Sequence, residues 1–235
     1  MNERSAVDLE EQAPEKDFRG VAWPRDAGAR ARGAGEDIVI TGDDGTQVLK
    51  GVTGHLDQVL SLAAFLADDS GRFHLSFKSI LTAFLAVENE LTAALFPPEL
   101  RQELLRKLLE GRDLAPDGLI AIASNTPGHA CPSPLTATRS ALAYFDFASK
   151  LQRDNPVMGR LGVKHLLAAI LYSDVPTSAQ HRAELEDKFG VNLTSVSAAF
   201  LRRLAAELPG AVAPLTRAHA SIYGEGSVPE TVQGM

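Results

Sequence analysis

One segment that echoes an earlier one constrains this fold more than any single motif. In Leu161-Gly162-Val163-Lys164-His165-Leu166-Leu167-Ala168-Ala169-Ile170-Leu171, the residues Val163, Leu166, Leu167, Ile170 and Leu171 recur at i, i+3, i+4, i+7 and i+8. That spacing makes one apolar stripe along an α-helix. Phe77-Lys78-Ser79-Ile80-Leu81-Thr82-Ala83-Phe84-Leu85 matches it position by position. Phe77 lies over Val163, Lys78 over Lys164, Ile80 over Leu166, Leu81 over Leu167, Phe84 over Ile170 and Leu85 over Leu171. Apolar, basic and small positions agree throughout, which predicts a duplicated helical unit.

The flanking sequence extends the duplication. In residues 53–111, apolar faces follow one another at Leu56/Val59/Leu60/Ala63, at the Phe77 stripe, over the short stretch Glu90 to Leu95, and at Leu100/Leu104/Leu105/Leu108. Ser76 is placed to cap the second helix, and Pro98 suits the first turn of the fourth. Residues 136–208 repeat the order: a helix with Ala141, Tyr144, Phe145, Ala148 and Leu151 inward, the Val163 stripe, a helix with Leu185 and Phe189, and a last one with Val196, Phe200, Leu201 and Leu204. The fold class expected is all-α, two tandem four-helix repeats related by a pseudo-twofold. Neither quartet covers its own stripes, so the copies are expected to share one core and leave a groove between them. Grooves of that kind receive peptides and protein partners.

The remainder reads as additions. Residues 1–36 form an expected flexible arm of mixed charge, with Phe18, Val21 and Trp23 as its apolar exceptions. Residues 37–52 read as a β-hairpin and linker, two short strands around Gly42-Asp43-Asp44-Gly45. A calcium loop at Asp43-Asp44-Gly45 lacks further ligands at the required spacing. Residues 112–135 are an expected spacer, with Leu119-Ile120-Ala121-Ile122-Ala123 as an extended piece and a proline-rich loop after it. Residues 209–235, rich in Gly, Pro and Ser, are expected to be a flexible tail.

Composition narrows the function classes. A net charge of −7 over 235 residues argues against a nucleic-acid partner engaged through a general basic surface. The first residues lack a basic patch followed by an apolar run, and no stretch reaches the ~18 apolar residues of a membrane span. No membrane partner and a cytoplasmic location are therefore expected. Cys131 is the one cysteine, so neither an internal disulfide nor a thiolate metal site can form. His55, His74, His165, His181 and His219 show no helical metal-ligand pairing, and neither a metal site nor a cofactor is expected. His129 and Cys131 stand two apart in the proline-rich loop, the residue types of a thiolate nucleophile and its base. No cysteine-hydrolase signature surrounds them, so a Cys131-dependent hydrolase remains the enzymatic alternative.

Gly162-Val163-Lys164-His165-Leu166-Leu167 resembles the Gly-Thr-Glu-His-Leu-Leu signature of the N-terminal domain of Clp-type ATPases. Gly190-Val191-Asn192 resembles that family's Gly-Val-Asp before its final helix. The resemblance covers roughly residues 53–208; it is fairly specific in the second copy and weaker in the first, where Ser79 replaces the histidine. It implies two four-helix repeats that hold substrates and adaptors for an unfoldase. No Gly-x-x-x-x-Gly-Lys-Ser/Thr segment occurs, so a stand-alone relative without the ATPase is implied. Some members bind phosphorylated arginine through the signature's Thr-Glu pair; Val163-Lys164 and Phe77-Lys78 replace carboxylate by ammonium here, and that ligand is not carried over.

The expected function is thus a non-enzymatic recognition module. Its expected partners are Clp ATPase or protease subunits, an adaptor or a substrate peptide. Lys78, Lys164, Phe77 and Val163 are the partner-contacting candidates, with the two lysines as basic spots flanking the groove. His165, Leu166, Leu167, Ile80 and Leu81 are structural. Arg202-Arg203 reads as a solvated face. A regulatory or defence-associated interaction protein is the alternative within the binding class.

Overall fold

The computed structural model describes residues 36–233 apart from 44, 70–73, 127–130 and 132. The expected arm before Glu36, with Phe18, Val21 and Trp23, lies outside the described residues, as does His129. Alternation of Ile38 and Ile40 with Val39 gives a strand with one buried face, β1 (Ile38–Gly42). It turns back antiparallel into β2 (Gly45–Leu49), with Ile38 opposite Leu49 and Gly42 opposite Gly45. Residues from the expected spacer supply a third strand, β3 (Leu135–Thr136), parallel to β1, so the sheet order is β2-β1-β3. A Cβ on Gly42 would collide with the Leu142 side chain and stand 2.7 Å from the Ala137 carbonyl oxygen. Glycine is what allows the hairpin to sit against the helix carrying Leu142.

Ten helices follow among the described residues, and the protein is mostly helical. They are α1 (Gly54–Asp69), α2 (Phe77–Ala86), α3 (Glu90–Leu95), α4 (Pro98–Leu108), α5 (Pro116–Asn125), α6 (Arg139–Asp154), α7 (Val163–Tyr172), α8 (Pro176–Asp187), α9 (Leu193–Glu207) and α10 (Val212–Tyr223). Their starts are encoded locally. Ser76, Asn89, Thr138 and Asn192 accept first-turn N–H groups through their side chains, and α4, α5 and α8 begin on proline.

The two echoing segments become α2 and α7, which begin at the aligned residues Phe77 and Val163 and run for ten residues each. Nine residues of α2 and eight of α7 are buried, so both are central helices, packed all round. Ile80, Leu81, Leu166 and Leu167 are core, as expected. The strands leading into the helices are stitched in pairs. Val52, just before α1, bridges Leu161, just before α7, and the Thr53 N–H donates to the Leu161 carbonyl at 2.8 Å. Leu75, just before α2, bridges Ala137, just before α6, and the Thr138 N–H donates to the Leu75 carbonyl at 2.8 Å.

Two expectations are corrected. The spacer's apolar run is helix α5, not an extended piece: Leu119, Ile122 and Ala123 are buried at i, i+3 and i+4, and Ile120 and Ala121 between them hid the period. The tail is no unstructured segment either. Val212, Leu215 and His219 form the buried stripe of α10, and Val232 beyond it is buried too. The Gly, Pro and Ser residues around that stripe concealed it in sequence. The helix α5 packs on α2, and α10 on α7 and α9.

Candidate functional site

The start of α7 forms one wall of an open groove of about 520 Å³. Val163 and Lys164, in the first turn of α7, stand at its edge, both half-buried. Leu91 at the start of α3, Phe200 and Leu204 of α9, and Met158 give it an apolar floor. Thr53 and His55 close it from the start of α1. Gly162 leaves room for the Thr53 side chain there: a Cβ would stand 3.0 Å from Thr53 Oγ1.

Charge on the rim is organised around Arg203. Its guanidinium lies 3.2 Å from Glu90 on α3 and 2.7 Å from Glu207 one turn along α9. Arg160 instead donates to the carbonyls of Gly51 and Val52, at 3.1 and 2.7 Å, pinning the segment that leads into α1. Lys164 has no ion-pair or hydrogen-bond partner among the described residues. Two carboxylates are therefore answered by one arginine, and Arg160 and Lys164 leave the groove with a surplus of positive charge.

His165 performs a structural task directly beneath this wall. Its Nδ1 accepts the Gly162 N–H at 3.1 Å, tying down the turn that enters α7, so the neutral ring carries its proton on Nε2. Nε2 is buried and meets no acceptor among the described residues. Burial, and then the neighbouring Lys164 charge, lowers the imidazole pKa to about 4. Ser79 does the same work at α2, where its Oγ accepts the Ser76 N–H at 2.9 Å.

The four expected contact residues do not form one site. Phe77 and Lys78 line a separate depression of about 110 Å³ with Lys107, Glu184, Lys188 and Phe189. Phe77 is itself buried, stacked on His181 at 4.0 Å, whose Nδ1 lies 2.8 Å from the Tyr144 hydroxyl. The two lysines thus mark two depressions instead of flanking a single groove. Arg203, read from sequence as solvated, is the electrostatic centre of the larger one. Its pairing with Glu207 at i+4 was visible in sequence. Glu90 lies 113 positions away and left no local signal.

Other reactive residue types are enclosed. Cys131 is wholly buried, and its N–H donates to Asp57 Oδ1 at 3.2 Å. Ser197 Oγ lies 2.6 Å from His219 Nδ1 and donates to the Tyr172 hydroxyl at 2.7 Å; His219 Nε2 lies 2.8 Å from Ser227 Oγ. Both Ser197 and His219 are wholly buried, so this chain of polar groups offers a substrate no route to the hydroxyl. What it does is fasten α10 to α7 and α9. Among the described residues, no group of three or more His, Cys, Asp or Glu side chains could hold a metal ion, and no helix is long and apolar enough to cross a membrane. Neither a protein-family model, nor a curated protein, nor a solved structure matches the chain.

Proposed function

We propose that the chain is a non-catalytic module that binds a protein or peptide in the groove at the start of α7. In this reading it is built from two tandem repeats about an approximate twofold and resembles the N-terminal domain of Clp-type ATPases. It serves a Clp-type protease system in the cytoplasm as an accessory or adaptor. The repeat reading draws support from reciprocity. Exchanging α1 with α6 and α2 with α7 turns the Val52–Leu161 bridge into the Leu75–Ala137 bridge. The same exchange carries the larger depression, walled by α7, α9 and α3, onto the smaller one, walled by α2, α4 and α8. Ser79 and His165 hold matching entry turns, and α5 and α10 pack on matching helices. Each repeat then comprises five helices, the fifth being the segment that sequence periodicity concealed.

One observation carries the functional reading: an open groove of about 520 Å³ with an apolar floor and a charged rim. Peptide sites combine apolar anchoring with a few oriented polar groups in this way. Lys164 and Arg160 favour an occupant whose apolar residues are flanked by carboxylates. The test is fluorescence anisotropy with labelled acidic–apolar peptides, beside pull-down with purified Clp ATPase subunits, for the native chain and Leu91→Asp. Leu91 is half-buried against the core, so circular dichroism and urea unfolding first establish that the variant is folded; an aspartate in the first turn of α3 suits the positive end of that helix. Loss of at least about tenfold in affinity, roughly 1.4 kcal/mol, is expected. Equal affinity in a natively folded Leu91→Asp chain would overturn the assignment.

A further inference from the structure

We propose that the groove's resident occupant is the chain's own N-terminal segment around Phe18, Val21 and Trp23, which competes with external partners. This rests on the peptide-binding reading of the groove. The first argument is where the described chain begins. Glu36 stands two residues before Ile38, and Ile38 pairs with Leu49 at the end of the sheet from which β2 runs on into Thr53, on the groove wall. Leu49 and Thr53 are four residues apart, at most about 14 Å of extended chain. Trp23 precedes Glu36 by thirteen residues, which reach up to about 45 Å. The tether is long enough with slack to spare, and seven of residues 26–35 are Gly or Ala.

The second argument is chemical match. Residues 8–23 carry Asp8, Glu10, Glu11, Glu15 and Asp17 against Lys16 and Arg19, a net charge of −3, and the apolar Phe18, Val21 and Trp23 stand at the end of that run. An acidic stretch followed by apolar anchors is the counterpart of a groove with an apolar floor and surplus charge at Arg160 and Lys164. The third argument is exposed apolar surface. Among the described residues only Val48 and Val157 are large hydrophobics left exposed, at 43% and 55%. Val157 adjoins Met158 in the groove floor, and Val48 adjoins Leu49, where the chain enters the sheet.

A short tether gives an effective concentration on the order of 1 mM. A segment with an intrinsic Kd of about 100 μM would then hold the groove closed about ten to one, weakening external binding about tenfold. Trp23 is the single tryptophan, so its fluorescence in the full chain reads the docked state directly. The expected result is blue-shifted emission and weak acrylamide quenching in the native chain, independent of protein concentration. Lys164→Glu and Leu91→Asp should each shift the emission red and raise quenching. A labelled synthetic peptide of residues 8–24 should bind Phe18→Ala/Trp23→Ala about tenfold more tightly than it binds the native chain. Emission already matching the urea-unfolded chain would overturn the proposal, as would protection untouched by both groove variants. Protection that grows with protein concentration would also overturn it, assigning the groove to the segment of a second copy. If Trp23 is exposed while the peptide still binds and Leu91→Asp abolishes that binding, only self-occupancy fails and the peptide-binding reading stands.

Discussion

Acidification should destabilise this protein through His165, and the size of the effect can be worked out. The imidazole is wholly buried, and its pKa in the folded chain is about 4, against 6.5 for a free histidine. The unfolded chain therefore binds more protons than the folded one between these values, so stability falls as pH falls through that window and is fully present above it. With those two values, lowering the pH from 7 to 5 removes about 2 kcal/mol, and full titration about 3 kcal/mol. For a chain of this size 2 kcal/mol is about 4–8 °C in Tm. His181 and His219 are shifted in the same direction by burial and contribute a background. His165→Asn isolates the effect, because a carboxamide oxygen can take the place of Nδ1 as acceptor for the Gly162 N–H, yet it does not titrate. Urea unfolding of both chains at pH 7, 6 and 5 should show the native chain losing about 2 kcal/mol more than the variant over that range. Parallel pH slopes for the two chains would refute the assignment of His165 as a neutral buried cap.

Two further perturbations follow from packing. Gly42→Ala should cost roughly 1–3 kcal/mol in urea unfolding, because the new methyl meets the Leu142 side chain and the Ala137 backbone carbonyl. Ser197→Ala removes the hydroxyl between Tyr172 and His219 and should cost about 1–3 kcal/mol. Hydrogen exchange should then accelerate most in α10, ahead of α2 and α7; uniform acceleration across the helices would contradict the role given to the Ser197–His219 contact.

Much of the helical architecture was legible because its signals are local. The stripes of α2 and α7, the cap at Ser76 and the hairpin around Gly42 each depend on residues a few positions apart. α5 and α10 escaped because their periods were masked, one by apolar residues on the outer face and the other by the Gly, Pro and Ser around it. β3 escaped because two residues pair with a strand nearly a hundred positions earlier. At the site, Val163 and Lys164 were legible from the echo, and so was the structural role of His165, though not its Gly162 partner. The Arg203–Glu90 pair and the contributions of Leu91 and Met158 come from contacts made only once the chain has folded. Phe77 is core: His181 covers its ring, a contact that sequence equivalence with Val163 does not show.

A titration of the ¹⁵N-labelled chain with an acidic–apolar peptide, followed by backbone amide shifts, tests the groove most directly. Perturbations gathered on the starts of α3 and α7 and the C-terminal half of α9, around Leu91, Lys164 and Arg203, are the expected result. Shifts confined to the Phe77–Lys78 depression, or none at saturating peptide, would contradict it.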